Sequence, residues 1–336
     1  MGHKYEKCYI VAEIGGNFTE LEVAKKLIDH AYESGVNAVK LQTYQADTIA
    51  SREAVFDMEN VKGIPQRQYF KKFEIDEAMH QEIFAYARGK GLAVFSTPSH
   101  YTDVEMLERL QVDMYKIGAD DATNIPFLKK VARIGKPIML STGMCTMNEV
   151  HNAVNAIVEE GNVDIVIMHV VSLYPTAPQF VNLRAIHTLQ ETFPQYVIGY
   201  SDHTLGIDSC IFAAALGAKV IEKHFTYDKQ ADGPDHVLSA TPEEMKTLVN
   251  KVRLFEQMQG NGIKRPVGEE RKNRGNNRKS IVCVRGKKKG ERLQEEDLDM
   301  KRPGYGIQPK YKDMIVGRKA SRDIDEGVLL QWADIE

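Results

Sequence analysis

Eight short runs of β-branched and other apolar residues recur along the first three quarters of the chain, and longer segments with helical apolar spacing separate them. Strands that alternate with helices form a parallel sheet, because a helical crossover returns the chain to the same end of the sheet. Eight such repeats predict an α/β fold built on a (β/α)8 TIM barrel. The predicted strands are Tyr9 to Ala12, Ala38 to Leu41, Ala93 to Ser96, Met114 to Ile117, Ile138 to Ser141, Asp164 to Met168, Tyr196 to Gly199 and Lys219 to Glu222.

Sequence signals at the helix ends support this alternation of strands and helices. Residues 21–32 and 148–159 place their apolar side chains on one helix face. Thr241-Pro242-Glu243-Glu244 combines a capping hydroxyl, a proline at the first helical position and an acid at the third, which predicts a last helix that runs to about Gln259. Four glycines stand between a predicted helix and the next strand, where a left-handed residue ends a helix. They are Gly35, Gly91, Gly135 and Gly217.

Two segments depart from the repeat. Residues 46–72 follow the second predicted strand and are too long for an ordinary βα connection, which favours a segment that lines or covers the active site of a barrel. After Gly262 the repeat stops. We therefore expect a barrel over 1–262, a basic linker over 263–277 and a small β-rich domain over 278–336. That domain is marginal by size, so it should dock on the barrel or on a partner subunit.

Charge and cysteine content exclude several classes of protein. The 336 residues include 44 Lys and Arg against 47 Asp and Glu, a formal net charge of -3, which gives no general basis for binding nucleic acid or an anionic membrane. No apolar run approaches the length of a membrane-spanning helix, and the N-terminus lacks a signal-peptide pattern. The 4 cysteines stand far apart without a C-x-x-C pair, which argues against a disulfide framework. We expect a cytoplasmic protein with a small-molecule substrate.

One segment is locally basic. Residues 264–289 contain 11 Lys and Arg and 2 Glu. A solvated linker and a basic wall that faces an anionic substrate both fit this pattern, and the pattern alone leaves both open.

Polar residues end nearly every predicted barrel strand. TIM-barrel enzymes place their reacting groups at the carboxyl ends of the strands, so this set predicts an active site there. The residues are Glu13, Lys40, Gln42, Ser96, Thr97, Lys116, Ser141, Thr142, His169, Ser201, Asp202, His203, Glu222, Lys223 and His224.

Lys40 and Lys116 indicate an anion site. Burying an ammonium group in a parallel barrel costs several kcal/mol unless an anion accompanies it. Hydroxyl-bearing residues at neighbouring strand ends would add donors suited to a phosphate or a carboxylate. Internal ion pairs of the lysines with Glu13 and Glu222 are the alternative.

His203 and His224 stand one strand–helix–strand step apart, which predicts two imidazoles side by side at neighbouring strand ends. Such a pair suits a divalent metal ion with positions left open for water and substrate. Hydrogen-bonded core histidines fit the same spacing, so the spacing leaves both interpretations open.

These motifs, in order and across nearly the whole chain, resemble the N-acetylneuraminate (sialic acid) synthase family. The C-terminal segment resembles the antifreeze-like (SAF) domain of that family. The matching elements are Ala12-Glu13-Ile14-Gly15, Lys40-Leu41-Gln42-Thr43-Tyr44, Ser96-Thr97-Pro98, Tyr115-Lys116-Ile117-Gly118, Leu140-Ser141-Thr142-Gly143-Met144, Tyr174-Pro175-Thr176, Ser201-Asp202-His203-Thr204, Glu222-Lys223-His224-Phe225, Gly233-Pro234-Asp235-His236 and Arg302-Pro303-Gly304-Tyr305-Gly306.

The resemblance implies a transferase that joins phosphoenolpyruvate to an N-acyl hexosamine, either N-acetylmannosamine or a relative, free or as its 6-phosphate. A nonulosonic (sialic) acid forms by metal-assisted C–C bond formation, with C–O cleavage and phosphate release. The implied metal ligands are His203 and His224, with Mn²⁺ as the expected ion and Mg²⁺ or Co²⁺ as alternatives. The implied catalytic residues are Glu13, which would orient or deprotonate the attacking water, and Asp235. The implied substrate-binding residues are Lys40, Gln42, Thr97, Lys116, Asp121, Ser141, Ser172, Tyr174, Ser201 and Arg302.

The resemblance also implies a domain-swapped homodimer, in which Arg302 completes the active site of the neighbouring barrel. Some positions depart from the family pattern: Ala119 and Asp121 stand where serine and glutamate are frequent. In the insertion, Asn60 is a candidate for the sugar-binding asparagine of the family. The sugar acceptor therefore does not follow from the sequence. A second hypothesis from another class is a catalytically altered barrel that serves as a binding or assembly subunit in surface-polysaccharide synthesis.

Overall fold

The computed structural model describes residues 5–56, 62–231, 233 and 235–336. The chain forms two compact units, one that ends at Gln259 and one that begins at Gly260. Among the described residues, no helix is both long and apolar enough to cross a bilayer. All 4 cysteines are free thiols.

The first unit is a closed barrel of eight parallel strands, in which each strand pairs with the next in sequence and the last pairs with the first. The fold predicted from the strand–helix repeat is confirmed. The strands are β1 (Tyr9–Glu13), β2 (Ala38–Thr43), β3 (Ala93–Pro98), β4 (Tyr115–Ile117), β5 (Ile138–Ser141), β6 (Ile165–His169), β7 (Val197–Asp202) and β8 (Val220–His224). The helices are α1 (Leu21–Ser34), α2 (Ala46–Ile49), α3 (Gln66–Phe73), α4 (Glu77–Gly89), α5 (Tyr101–Arg109), α6 (Ile125–Ala132), α7 (Met147–Val158), α8 (Ala185–Thr192), α9 (Asp208–Ala215) and α10 (Pro242–Gln259).

Successive side chains of each strand point to opposite faces, which separates the barrel into two layers. Inward-facing side chains such as Val11, Phe95 and Met139 fill the floor of the barrel. Outward-facing side chains such as Ile10 and Leu41 pack against the helices. The polar residues near the strand ends are the next inward-facing positions above this floor. The alternation that builds the floor therefore also points them into the mouth of the barrel.

The predicted helix ends are confirmed. Thr241 Oγ1 accepts a hydrogen bond from the backbone N–H of Glu244, whose carboxylate accepts one from the N–H of Thr241, and α10 begins at Pro242. The four glycines all have positive φ, between 77° and 95°. The predicted helix over 148–159 differs by one residue at each end, because Thr146 caps α7 with Glu149 in the same reciprocal manner.

The second unit contains α11 (Glu270–Asn277), two antiparallel strands, β9 (Ser280–Cys283) and β10 (Leu298–Lys301), and a short α12 (Lys312–Ile315). Most of its remaining extended pairing consists of isolated bridges, at Val282 with Leu329, Lys287 with Ile324, Arg292 with Lys319 and Ala320 with Ile335. A small core of its own includes Ile281, Leu293, Ile307 and Leu330.

The second half of the predicted basic linker, 263–277, forms a helix, α11. Glu, Arg and Lys are good helix formers, and they outweigh the single glycine of this segment. Gly275 has a packing role, because a Cβ there would lie 2.5 Å from the ring of Tyr305. The basic helix therefore belongs to the C-terminal unit.

Candidate active site

A cavity of about 1260 Å³ opens at the carboxyl ends of the barrel strands. Residues of the 46–72 insertion line one side, with Ile49 from the end of α2, Phe56 from the following loop, and Gln66 and Phe70 from α3. The insertion therefore lines the barrel mouth, as its length predicts. The structure brings together most of the predicted site residues in the cavity wall: Lys40, Gln42, Thr97, Lys116, Ser141, Ser172, Tyr174, Ser201, His203 and His224.

Two lysines and two glutamates form a buried charged cluster at the base of this cavity. Lys40 Nζ pairs with Glu13 Oε2 and lies 3.7 Å from Glu222 Oε1. Lys116 Nζ lies 2.7 Å from Glu222 Oε2. The two lysines therefore form internal ion pairs, which is the alternative interpretation of the sequence. Thr97 accepts a hydrogen bond from Lys40 at 3.0 Å, and the cluster stands against the cavity.

The two carboxylates of the cluster differ in acidity. Burial raises the pKa of Glu13, and the charge of Lys40 offsets only part of that increase. Burial alone would also raise the pKa of Glu222, but Lys116 and Lys40 together lower it below its ordinary value. Glu222 is therefore the more acidic carboxylate of the cluster, and Glu13 is the one whose protonated form burial favours.

Glu13 lies beneath the cavity wall rather than in it. Its side chain is fully buried, and Oε1 accepts the backbone N–H of Gly15 at 2.6 Å. Gly15 permits this contact because a Cβ at that position would lie 2.5 Å from Glu13 Oε1 and 2.6 Å from the backbone N of Gln42. Oε2 faces Lys40 Nζ.

His203 and His224 lie side by side, with ring centroids 5.3 Å apart. His203 Nδ1 donates to the carbonyl of Val171 at 2.8 Å, which leaves Nε2 as an acceptor. The ring of Tyr174 lies 4.0 Å from that of His203, centroid to centroid. Burial lowers the pKa of His203 to about 4 and, with the positive groups around it, lowers the pKa of His224 well below its ordinary value. Both imidazoles are neutral at neutral pH.

This donor set fits a divalent ion. His224 Nδ1 is buried without a hydrogen-bond partner among the described residues, and a neutral imidazole nitrogen with a free lone pair is a metal ligand. Asp235 Oδ2 lies 3.4 Å from it. Within the described ranges, no group of three or more His, Cys, Asp or Glu side chains is arranged to hold an ion.

Asp235 lies just behind the cavity wall, between His224 and Glu13. It precedes a short 3-10 turn, His236–Leu238, and its carbonyl accepts bonds from the N–H and hydroxyl of Ser239. Burial, reinforced by the negative charge of Glu13, raises the pKa of Asp235 to about 7.

One predicted substrate-binding residue, Asp121, is not part of the cavity wall. Asp121 does not line the cavity, because the 3-10 turn Ala119–Asp121 directs its carboxylate to the side chain of Asn124 at 2.8 Å. Asp120 lines the cavity instead. A Cβ added at Gly118 would lie only 2.2 Å from Asp120 Oδ1, so glycine leaves room for this carboxylate. Strand periodicity ends at Ile117, so no sequence signal distinguished the two aspartates.

Two further predicted positions are described in the structure, and a third is not. Arg302 is an exposed residue of the C-terminal unit, in the turn after β10. His169 faces outward, where its Nε2 contacts the carbonyl of Val181 at 2.8 Å. Asn60 falls in the segment 57–61, outside the described residues.

Glu222 was predicted only as a strand-end residue and an alternative ion-pair partner, and the aromatic residues of the cavity wall were not predicted. Glu222 forms ion pairs with both lysines and accepts a hydrogen bond from the Ser201 hydroxyl at 3.3 Å. Alternation along β8 places Glu222 and His224 on the inner face and Lys223 on the outer face, a signal that was available in the sequence. Phe56 and Phe70 carried no such signal, because the insertion has no strand periodicity.

Comparison with known proteins supports the same interpretation. The NeuB family profile matches residues 27–264, and the SAF domain profile matches residues 278–336. The chain is 39% identical over 338 residues to an N,N'-diacetyllegionaminic acid synthase of Legionella pneumophila, which covers 98% of this chain and 95% of the relative. It is 37% identical over 333 residues to the N,N'-diacetyllegionaminic acid synthase of Campylobacter jejuni, which covers 97% of this chain and 99% of the relative.

A solved structure shows the same likeness. The N-acetylneuraminic acid synthetase of Leptospira borgpetersenii, in complex with citrate, aligns with a TM-score of 0.72 at 29% identity and covers 81% of this chain and 93% of that chain. The resemblance inferred from the strand-end motifs is therefore confirmed at the level of the family. The chain belongs to the NeuB family of synthases and is an enzyme of that family, with a C-terminal SAF domain.

Proposed function

We propose that this enzyme condenses phosphoenolpyruvate with an N-acyl hexosamine to form a nonulosonic acid and release inorganic phosphate. The observation that carries the proposal is the joint presence, in one cavity, of two buried lysines, a set of strand-end hydroxyls and two neutral histidines. A small polyanion and a sugar fit these groups together, and relatives named as nonulosonic acid synthases support the same reaction class.

Phosphoenolpyruvate would bind at the charged cluster. In the ligand-free chain, the lysines neutralise Glu13 and Glu222. A bound carboxylate and phosphate would take over Lys40 and Lys116, and Thr97, Ser141 and Ser201 would donate to their oxygens. Because Lys40 is the partner of Glu13 Oε2, this exchange would free that oxygen.

The reaction forms one C–C bond and breaks one C–O bond. Carbon 3 of phosphoenolpyruvate attacks the aldehyde carbon of the open-chain sugar, and water adds to the oxocarbenium that develops at carbon 2. Phosphate then leaves with the former enol oxygen. Glu13, whose pKa burial raises, would accept the proton of this water once Lys40 has turned to the phosphate.

His203 and His224 would hold a divalent ion, most suitably Mn²⁺, which supplies Lewis-acid polarisation of the aldehyde. Gln42, Ser172 and Tyr174 would hold the sugar. Ser172 Oγ already packs against Gly143, where a Cβ would lie 2.3 Å from it. Asp235, beside His224, would bind a sugar hydroxyl or the attacking water.

The cavity wall of one chain supplies few cationic groups for a phosphorylated acceptor. Among the described lining residues, only Lys40 and Lys116 are lysine or arginine, and phosphoenolpyruvate would occupy both. Apolar side chains such as Phe56, Phe70 and Val237 instead suit acyl methyl groups. The similarity to two N,N'-diacetyllegionaminic acid synthases favours an acceptor with two acetamido groups over N-acetylmannosamine.

The test is a phosphate-release assay with phosphoenolpyruvate, Mn²⁺ and a panel of acceptors: N-acetylmannosamine, its 6-phosphate and a 2,4-diacetamido deoxyhexose. We expect turnover that stops on chelation and returns with Mn²⁺. His203→Ala should abolish it, whereas His187→Ala, which removes an exposed histidine of α8, should not. Full activity of His203→Ala after exhaustive chelation contradicts the metal assignment. Absence of turnover with every acceptor, while phosphoenolpyruvate still binds, favours the binding or assembly subunit.

A further inference from the structure

A second buried ion pair lies on the outer face of the barrel, directly behind the two histidines. Asp202 and Lys223 are cross-strand partners in β7 and β8, and both side chains are fully buried. Lys223 Nζ lies 2.6 Å from Asp202 Oδ2. We propose that this pair is a positioning device that holds His203 and His224 in the geometry needed to bind a divalent ion.

The bonds of the pair converge on the residues that flank His203. Asp202 Oδ1 accepts the backbone N–H of Thr204 at 3.0 Å and the hydroxyl of Tyr200 at 2.8 Å. Asp202 Oδ2 accepts the hydroxyl of Thr204 at 3.1 Å, and Lys223 donates to the carbonyl of Thr204 at 2.6 Å. Thr204 is therefore held through its N–H, its carbonyl and its hydroxyl, which leaves the backbone of His203 between two anchored residues.

Other contacts complete the anchoring of the two rings. The His203 ring is bonded to the Val171 carbonyl, and the carbonyl of His203 accepts the N–H of Thr176 at 2.9 Å. His224 follows Lys223 directly, and its carbonyl accepts the N–H of Ala240 at 2.7 Å. The ion pair thus joins the two strand ends that carry the histidines, one residue away from each.

Stability alone does not explain the pair. Replacing a buried ion pair by apolar residues of similar volume is often neutral or stabilising, because the desolvation penalty of the charges is large. Other outward-facing residues of β7 and β8, such as Ile198 and Ile221, are apolar and pack against the helices. The Asp202–Lys223 pair instead hydrogen-bonds the N–H, the hydroxyl and the carbonyl of Thr204, which an apolar pair could not do.

The inference rests on the proposed metal site and is tested by Mn²⁺ binding, measured by calorimetry and by the electron paramagnetic resonance signal of free Mn²⁺ at a temperature where each variant is folded. Asp202→Asn and Lys223→Met should each weaken Mn²⁺ binding about tenfold or more, as loss of groups that orient metal ligands does. Both should lower kcat while leaving the KM for phosphoenolpyruvate unchanged.

Milder variants serve where these charge changes prevent folding. Thr204→Val replaces the hydroxyl by a methyl group and should weaken Mn²⁺ binding several-fold. Thr204→Ser keeps the hydroxyl and should bind Mn²⁺ as the wild type does. Tyr115→Phe is the matched control, because Tyr115 is also buried on the outer face of a strand and bonds a helix residue, Glu108, at 2.7 Å. It should lower stability without changing Mn²⁺ affinity.

Unchanged Mn²⁺ affinity in folded Asp202→Asn, Lys223→Met and Thr204→Val overturns the inference and leaves the pair a structural one. An equal loss of affinity in Tyr115→Phe also overturns it, because the effect would then follow stability alone. If the wild-type chain binds no Mn²⁺ in the presence of phosphoenolpyruvate, the metal assignment in the proposed function fails, and the inference fails with it.

Discussion

Lys40 and Lys116 are equally buried, yet their pKa values move in opposite directions. Burial lowers the pKa of both, but Lys40 faces two carboxylates, Glu13 and Glu222, and its pKa is raised overall. Lys116 has Glu222 as its close partner and is repelled by Lys40, so burial prevails and its pKa is lowered. Lys116 is consequently the lysine that gains more from an added anion.

Lys116→Met should therefore weaken phosphoenolpyruvate binding, by about 2–5 kcal/mol for the loss of a desolvated charge partner. Isothermal titration with phosphoenolpyruvate measures the dissociation constant directly. Lys129→Met is the control, since Lys129 pairs with Glu159 on the surface of the barrel unit. Unchanged affinity in Lys116→Met would assign Lys116 to a structural pair with Glu222 alone.

Asp103 predicts a pH effect on stability away from the site. Burial raises the pKa of Asp103 to about 6, while Oδ2 accepts the N–H of Ser99 at 3.2 Å. The folded chain binds the proton more tightly than the unfolded chain does, so this residue lowers stability as pH rises through the interval between the unfolded pKa, about 4, and about 6.

Asp103→Asn should raise the free energy of unfolding at pH 7.5 by on the order of 1–3 kcal/mol, because the amide keeps the acceptor and removes the buried charge. Urea denaturation between pH 4 and 8 measures this, and the gain should vanish at the acid end. Asp113→Asn, which changes an exposed aspartate, should leave the pH profile unchanged. A uniform gain at every pH would contradict the titration argument.

At the scale of elements, the turn after β1 sets the position of Glu13. The N–H of Gly15 bonds the Glu13 carboxylate, and the backbone of β2 lies so close that only glycine fits there. The first strand, its turn and the second strand thus act together on one catalytic candidate.

Gly15→Ala should reduce kcat strongly and destabilise the chain by about 1–3 kcal/mol, because the added methyl overlaps Glu13 and the backbone of Gln42. Gly89→Ala is the matched control. Gly89 lies at the end of α4 with nothing within 4 Å of an added Cβ, so alanine there should be neutral or slightly stabilising. Steady-state kinetics and thermal unfolding separate the two effects, and normal kcat in Gly15→Ala would remove Glu13 from the mechanism.

At the scale of the whole molecule, the chain divides into a barrel unit and a C-terminal unit with its own core. The C-terminal unit carries Arg302 on an exposed turn, and the family resemblance implies that this residue serves the barrel of a partner chain. We propose that the active enzyme is a homodimer in which each site uses both chains.

Mixing an Arg302→Ala chain with a Glu13→Ala chain tests this proposal. Each parent should be nearly inactive. A mixed dimer with shared sites contains one site with both defects and one with neither, so activity should partly return after subunit exchange. Differently tagged copies verify that mixed dimers form. No recovery in verified mixed dimers would assign Arg302 to its own barrel.

Local signals in the sequence determined the strand–helix repeat, the helix caps and the inward set of polar residues, because strand alternation and capping act over a few neighbouring residues. The tertiary structure decided how these residues meet. The pairing of Lys40 with Glu13, the placement of Asp120 rather than Asp121 in the wall, and the packing of Gly275 in α11 against Tyr305 all depend on distances between separate elements. The closed barrel sets the first two of these distances, and the fold of the C-terminal unit sets the third. No local pattern encodes them.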